Sequence, residues 1–182
     1  MAHPDPLVQD IAEHYFTFLR QCPAHKNVVL GDARLTMRNA APGSFDVIVL
    51  DAFSSDAVPL HLLTTEAFAM YREKLKPDGI LLAHVSNNFL ELPPVIAGSG
   101  AQPGHSTLVL EDSQFAPSES ALGRMPSRWA AIVRASDAPA FEALGWVPFT
   151  NEKVIWTDDN SSLVSVLAWH KLIGVDLSRR SH

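Results

Sequence analysis

The sequence predicts an α/β domain whose sheet contains parallel strands. Three observations predict it: the apolar run FDVIVL at 45–50, a helix-spaced stretch at 64–75, and a second apolar run at 80–85. Strand, helix and strand in that order form a parallel pair joined by a right-handed crossover. A chain of 182 residues with 47% hydrophobic and 19% charged residues is long and apolar enough to fold as a single domain.

Each element has its own local reason. At the start, Asp5 is placed to cap a helix and Pro6 suits its first position, with Leu7, Val8, Ile11 and Ala12 as its apolar stripe. Pro23 ends the next stretch. The β-branched run at 27–30, closed by Gly31 and Asp32, reads as a short buried strand and its turn. FDVIVL is the strongest strand and stops at Asp51. Thr64 caps the following helix, which sets Ala67, Phe68, Tyr71 and Leu75 at helical spacing. Pro77, Asp78 and Gly79 read as a turn before the strand at 80–85. A short helix is expected within 88–96, and a flexible break at 98–104.

The second half changes character. Strands are expected at 107–110 and 129–134, a helix at 136–144 closed by Gly145, a last strand at 154–156 and a last helix at 163–171. Residues 1–104 thus form a parallel α/β part and 105–182 an antiparallel part of one domain. No repeat, linker or charge run divides them.

Composition removes several function classes. A net charge of −6 and a pI near 5.7, with Lys and Arg scattered, argue against nucleic-acid binding. A single cysteine, Cys22, excludes a disulfide framework and a cysteine-based zinc site. The eight histidines show no metal-ligand spacing, so no metal is expected. No apolar run reaches the roughly 18 residues of a membrane span, and the first residues lack signal-peptide order. These features predict a cytoplasmic protein with no membrane segment in this chain.

Open parallel sheets bind ligands beyond the carboxyl ends of their strands. Asp32, Asp51 and the stretch His84–Asn88 fall at such ends, and Asp56 lies on the loop after Asp51. Asp32 and Asp56 also suit turns and helix caps. Asp51, directly after an uninterrupted apolar strand, is better placed for function. Ser54 and Ser55 lack a nucleophile elbow. Asp158 and Asp159 fit a helix N-terminus. Phe53, Phe89, Trp129, Trp146 and Trp169 fit packing.

The order LGDAR, FDVIVLDAFSSDAVP and DGILLAHVSN resembles the spermidine synthase family of aminopropyltransferases. The resemblance is to the bacterial branch often fused to transporter-like segments. SRWAAIVRA and VIWTDDNSSLVSVL resemble the end of that branch. The resemblance implies a Rossmann-like sheet of the class I S-adenosylmethionine-dependent methyltransferase type, mostly parallel, with antiparallel C-terminal strands. It also implies that the chain lacks the family's first βα unit and glycine-rich turn, His3 standing where the family has a ribose-binding Glu.

The resemblance further implies residue roles. Asp32, with Ala33, would contact the adenine of a nucleoside co-substrate, either decarboxylated S-adenosylmethionine or S-adenosylmethionine. Asp51 would act on the amine nucleophile. Asp56 would be the second acid of the family's Asp-x-x-Asp loop, here with two extra residues between the acids. His84 stands near a substrate-holding amide, so Asp56 and His84 are substrate-binding candidates. The partners implied are a nucleoside and a polyamine, and a homodimer is left open.

Carboxylates suit this chemistry. A primary amine with a lysine-like pKa is unprotonated in only about one molecule in two thousand near pH 7, so a base must orient it and take its proton. Two other expectations stay open. One is a small-molecule methyltransferase of the same fold; the other is a truncated, non-catalytic interaction module.

Overall fold

Alternating apolar residues need a sheet to bury one face, and five segments of this chain supply it. A computed structural model describes residues 6–51 and 58–168. The chain forms two compact units, Met1–Ala40 and Ala41–His182.

The first unit holds three short helices, α1 (Pro6–His14), α2 (Phe18–Gln21) and α3 (Ala33–Arg38). Pro6 opens α1 as its sequence predicts; the proposed cap Asp5 lies outside the described residues. Gln9 Nε2 donates to Glu13 Oε1 at 2.8 Å across one turn. The strand expected at 27–30 does not form. A strand needs a hydrogen-bonded neighbour, none of the described strands pairs with this run, and Val28, Val29 and Leu30 are exposed.

The second unit is built on one mixed sheet in the order β1-β2-β4-β3-β5. Its strands are β1 (Phe45–Leu50), β2 (Leu75–His84), β3 (His105–Asp112), β4 (Ser127–Arg134) and β5 (Val147–Pro148). β1 and β2 are parallel, as their strand–helix–strand order predicts, with Ile48 opposite Leu81 and Leu50 opposite Ala83. The later strands are antiparallel: β4 pairs with β2 on one side and β3 on the other, and β5 pairs with β3. The carboxyl-terminal strands therefore complete the same sheet that the amino-terminal strands begin.

The turn expected at Pro77, Asp78 and Gly79 is absorbed into β2. Phe45 pairs with Leu75 while Val47 pairs with Ile80, so five residues of β2 pass two of β1. The triplet is an irregularity within the strand, which suits a proline and glycine at a sheet position.

Helix α4 (Thr65–Lys74) makes the β1-to-β2 connection and packs on β2. Thr64 caps it, its Oγ1 accepting from Ala67 N–H at 3.3 Å. Ala67, Phe68 and Tyr71 are buried, and the Tyr71 hydroxyl donates to Leu62 O at 3.1 Å. Helix α5 (Pro93–Ser99) packs on β3 and β4. Helix α6 (Pro117–Ala121) lies between β3 and β4, and α7 (Ala138–Glu142) follows β4.

One sheet face is covered through Leu108, Ala131, Val133 and Ala138, with Ile80, Leu82, Phe141 and Trp146 against them. Gly145 takes φ +92°, the left-handed conformation that ends the α7 turn as predicted. Two other expectations fail here. The break at 98–104 is no break at its start, because Gly98 and Gly100 are buried in and beside α5. The strand expected at 154–156 is a tethered extended segment: Val154 N–H donates to Pro94 O at 3.0 Å and Trp156 N–H to Ser99 Oγ at 2.8 Å. The last helix shortens to a single 3-10 turn at Leu163–Val166, and residues beyond 168 lie outside the described set.

Candidate active site

Parallel pairing of β1 with β2 decides what meets at their carboxyl ends. Leu50 lies opposite Ala83, so the next step of the register brings Asp51 to His84. Their side chains are bonded, His84 Nδ1 to Asp51 Oδ1 at 2.8 Å. A carboxylate can only accept, so the hydrogen in this bond belongs to Nδ1. Asp51 is 61% exposed and His84 24% exposed, which leaves the carboxylate open to a ligand and the ring held.

Two further groups hold the ring. Ser86, two residues on and therefore on the same side of the extended chain, places Oγ 2.7 Å from His84 Nε2. Ser86 Oγ accepts from Arg128 N–H at 2.8 Å, while Val85 N–H donates to Arg128 O at 2.8 Å. These bonds extend the β2–β4 pairing one step beyond the strand end. Trp129 is the β4 residue opposite His84, and its ring stacks on the imidazole at 4.8 Å between centroids and 29° between planes. Its indole N–H donates to Ser127 Oγ at 3.3 Å.

Arg128 ties the segment after β2 to β3. It donates through one terminal nitrogen to Glu91 Oε2 at 2.5 Å, and its Nε lies 2.5 Å from Glu111 Oε1 as an ion pair. A polar cavity of about 260 Å³ opens beside it, lined by Ser86, Asn87, Asn88, Glu111, Ser113 and Arg128 among others. Asn87 Oδ1 accepts from Phe89 N–H and Leu90 N–H at 2.9 Å each, which fixes the turn that leads away from β2.

The other sequence-predicted residues fall elsewhere. Asp32 belongs to the first unit, where its Oδ1 accepts from Leu35 N–H at 2.9 Å and caps α3; Ala33 is the first residue of that helix. Gly31 before it has φ +132°, a backbone region that suits glycine. Asp56 lies outside the described residues. Asp158 does sit at a helix N-terminus, as its sequence suggests, but the helix is α4, not a later one. Thr64 Oγ1 donates to Asp158 Oδ1 at 2.7 Å, and Asp158 N–H donates to Glu66 Oε2 at 3.0 Å. Its own backbone N–H and that of Asp158 both donate to the Glu66 carboxyl and hold it below its usual range.

Sequence reasoning placed Asp51 and His84 separately and missed Ser86 and Trp129 as their companions. The H-x-S spacing was a readable signal for Ser86. Trp129 becomes a neighbour only through the antiparallel register of β4, which no local pattern shows. Among the described residues no group of three or more His, Cys, Asp or Glu could hold a metal ion, and no helix is long and apolar enough to cross a membrane.

The chain is 39% identical over 83 residues to a polyamine aminopropyltransferase of Vibrio vulnificus, covering 44% of this chain and 27% of that protein. It is 32% identical over 82 residues to a probable polyamine aminopropyl transferase of Bifidobacterium longum, covering 45% of this chain and 17% of that protein. The matched stretches thus span less than a third of these relatives. No family model matches the chain. In fold it is similar to a probable spermidine synthase from Corynebacterium glutamicum, with a TM-score of 0.57 and 18% identity over 88% of this chain and 63% of that one.

Proposed function

We propose that this chain, similar over part of its length to polyamine aminopropyltransferases and in fold to a probable spermidine synthase, serves aminopropyl transfer from decarboxylated S-adenosylmethionine to a polyamine. The observation that carries the reading is the Asp51 carboxylate, exposed at the end of β1 and held by His84 through one oxygen. The acceptor amine arrives as an ammonium ion. Asp51 binds and orients it, then takes its proton through the oxygen that His84 does not occupy. The nitrogen lone pair attacks the carbon next to the sulfonium, the new C–N bond forms as the C–S bond breaks, and methylthioadenosine leaves.

Asp32 and Ala33 are the proposed adenine contacts, and Asp56 a proposed contact for the substrate amine. His84 serves the same centre by fixing Asp51, and is itself a proposed substrate contact. The net charge of −6 favours a cationic acceptor over an anionic one.

Calorimetric titration with methylthioadenosine, with S-adenosylmethionine as comparator, tests the co-substrate. Binding that Asp32→Ala abolishes, with preference for methylthioadenosine, is expected. Preference for S-adenosylmethionine would instead support methyl transfer. No heat with either ligand, on protein shown to be folded, would overturn the assigned activity. For the chemistry, Asp51→Asn should cut release of methylthioadenosine in the presence of a diamine by about 10²-fold or more, the usual worth of a positioned base. Unchanged turnover would remove Asp51 from the mechanism.

A further inference from the structure

We infer that Ser86 is a positioning residue of this centre, which holds the His84 ring in the tautomer that the Asp51 carboxylate requires and through the ring keeps the orientation of Asp51. The inference rests on the reading of Asp51 as the base, but its geometry stands independently of substrate. Ser86 Oγ lies 2.7 Å from His84 Nε2 and accepts from Arg128 N–H at 2.8 Å. Because the Asp51 carboxylate takes the hydrogen on Nδ1, the bare Nε2 of the neutral ring accepts the Ser86 hydroxyl hydrogen, while Oγ keeps a lone pair for Arg128 N–H. The neutral imidazole then carries its hydrogen on Nδ1, where it donates to Asp51 Oδ1 at 2.8 Å.

The alternative tautomer would put two lone pairs, that of Nδ1 and that of the carboxylate, against each other. The Trp129 stack holds the ring plane, so the imidazole keeps both bonds in register. The carboxylate thus keeps one oxygen tied and the other facing outward. The order Ser, His, Asp is that of serine hydrolases. Here Ser86 is anchored by its oxygen to the neighbouring strand and acts as a donor to the ring, not as a nucleophile.

Nitrogen-15 NMR of the histidine side chains reads the tautomer directly, with His84→Gln identifying the His84 signals. At a pH where the ring is neutral, wild-type His84 is expected in the Nδ1–H form. Ser86→Ala should move the Nε2 signal to that of a ring nitrogen without this hydrogen bond, and Ser86→Thr, which keeps the hydroxyl, should restore it. An Nε2–H ring in the wild type, or no change in Ser86→Ala, would overturn the inference. In turnover assays Ser86→Ala should lower kcat about fivefold to tenfold, the worth of one hydrogen bond, with KM unchanged. A chain that shows the expected tautomers but releases no methylthioadenosine would sink the proposed activity and leave the role of Ser86 intact.

Discussion

Gly98 has no room for a methyl group. A Cβ at that position would overlap the carbonyl group of Val154, whose N–H in turn is bonded to Pro94 O. The colliding atoms are backbone, so relief requires moving the extended segment off α5. Gly98→Ala is therefore expected to destabilise the fold by about 1–3 kcal/mol, seen as a lower urea midpoint with an unchanged slope. Gly104→Ala makes the contrasting control: nothing lies within 4 Å of its Cβ position, and only its φ of +74° opposes the change. Sequence alone groups these glycines as one break, because a glycine kept for close packing and one kept for a turn look the same. The candidate site shows the same division. Asp51 and His84 were legible because each ends an apolar run. Ser86 needed the side-chain geometry, and Trp129 needed the strand partner.

Helix α4 was legible in nearly all its parts, because cap, apolar spacing and burial agree. Its start carries more than a cap, since Thr64 both accepts from Ala67 N–H and donates to Asp158, ninety-four residues later in the chain. Thr64→Ala is expected to cost about 1 kcal/mol for the cap alone, with a further loss at Asp158; Thr64→Ser should recover most of it. Thermal melts of the three proteins check the ranking. The β-elements were legible as segments and not as partners. β4 enters between β2 and β3, and the run at 27–30 has strand-like residues without a neighbouring strand to bond. Strand character is local, whereas pairing is decided by residues far away in the chain. At the end of β4, Arg134 Nε donates to Asp137 Oδ2 at 2.8 Å and holds that carboxyl below its usual range. A depressed folded pKa means that the contribution is whole above the unfolded value near 4 and fades as pH falls through the folded one. The stability gap between wild type and Asp137→Asn should accordingly be constant near neutrality and close below about pH 4. A gap that persists in acid would assign it to packing.

At the scale of the whole chain, burial is distributed unevenly, and this has a measurable consequence. In the second unit β4 is bonded on both sides, and Ala130, Ala131 and Val133 are fully buried. In the first unit, among the described residues, Arg34 is the one buried side chain, and the helices are nine, four and six residues long. Helices of that length are marginal in water unless an apolar face is packed. Local opening free energy follows burial and contact, so the two units should open separately and not in one step. Hydrogen exchange under native conditions should find the amides of α1, α2 and α3 exchanging at least about a hundredfold faster than those of β2 and β4. Equal protection in both would show that the stability of the first unit does not follow from its own burial. Graded exchange would confine the rigid part of the chain to the sheet, whose β1 and β2 ends carry the Asp51–His84–Ser86 chain and so hold the proposed base in place before any ligand arrives.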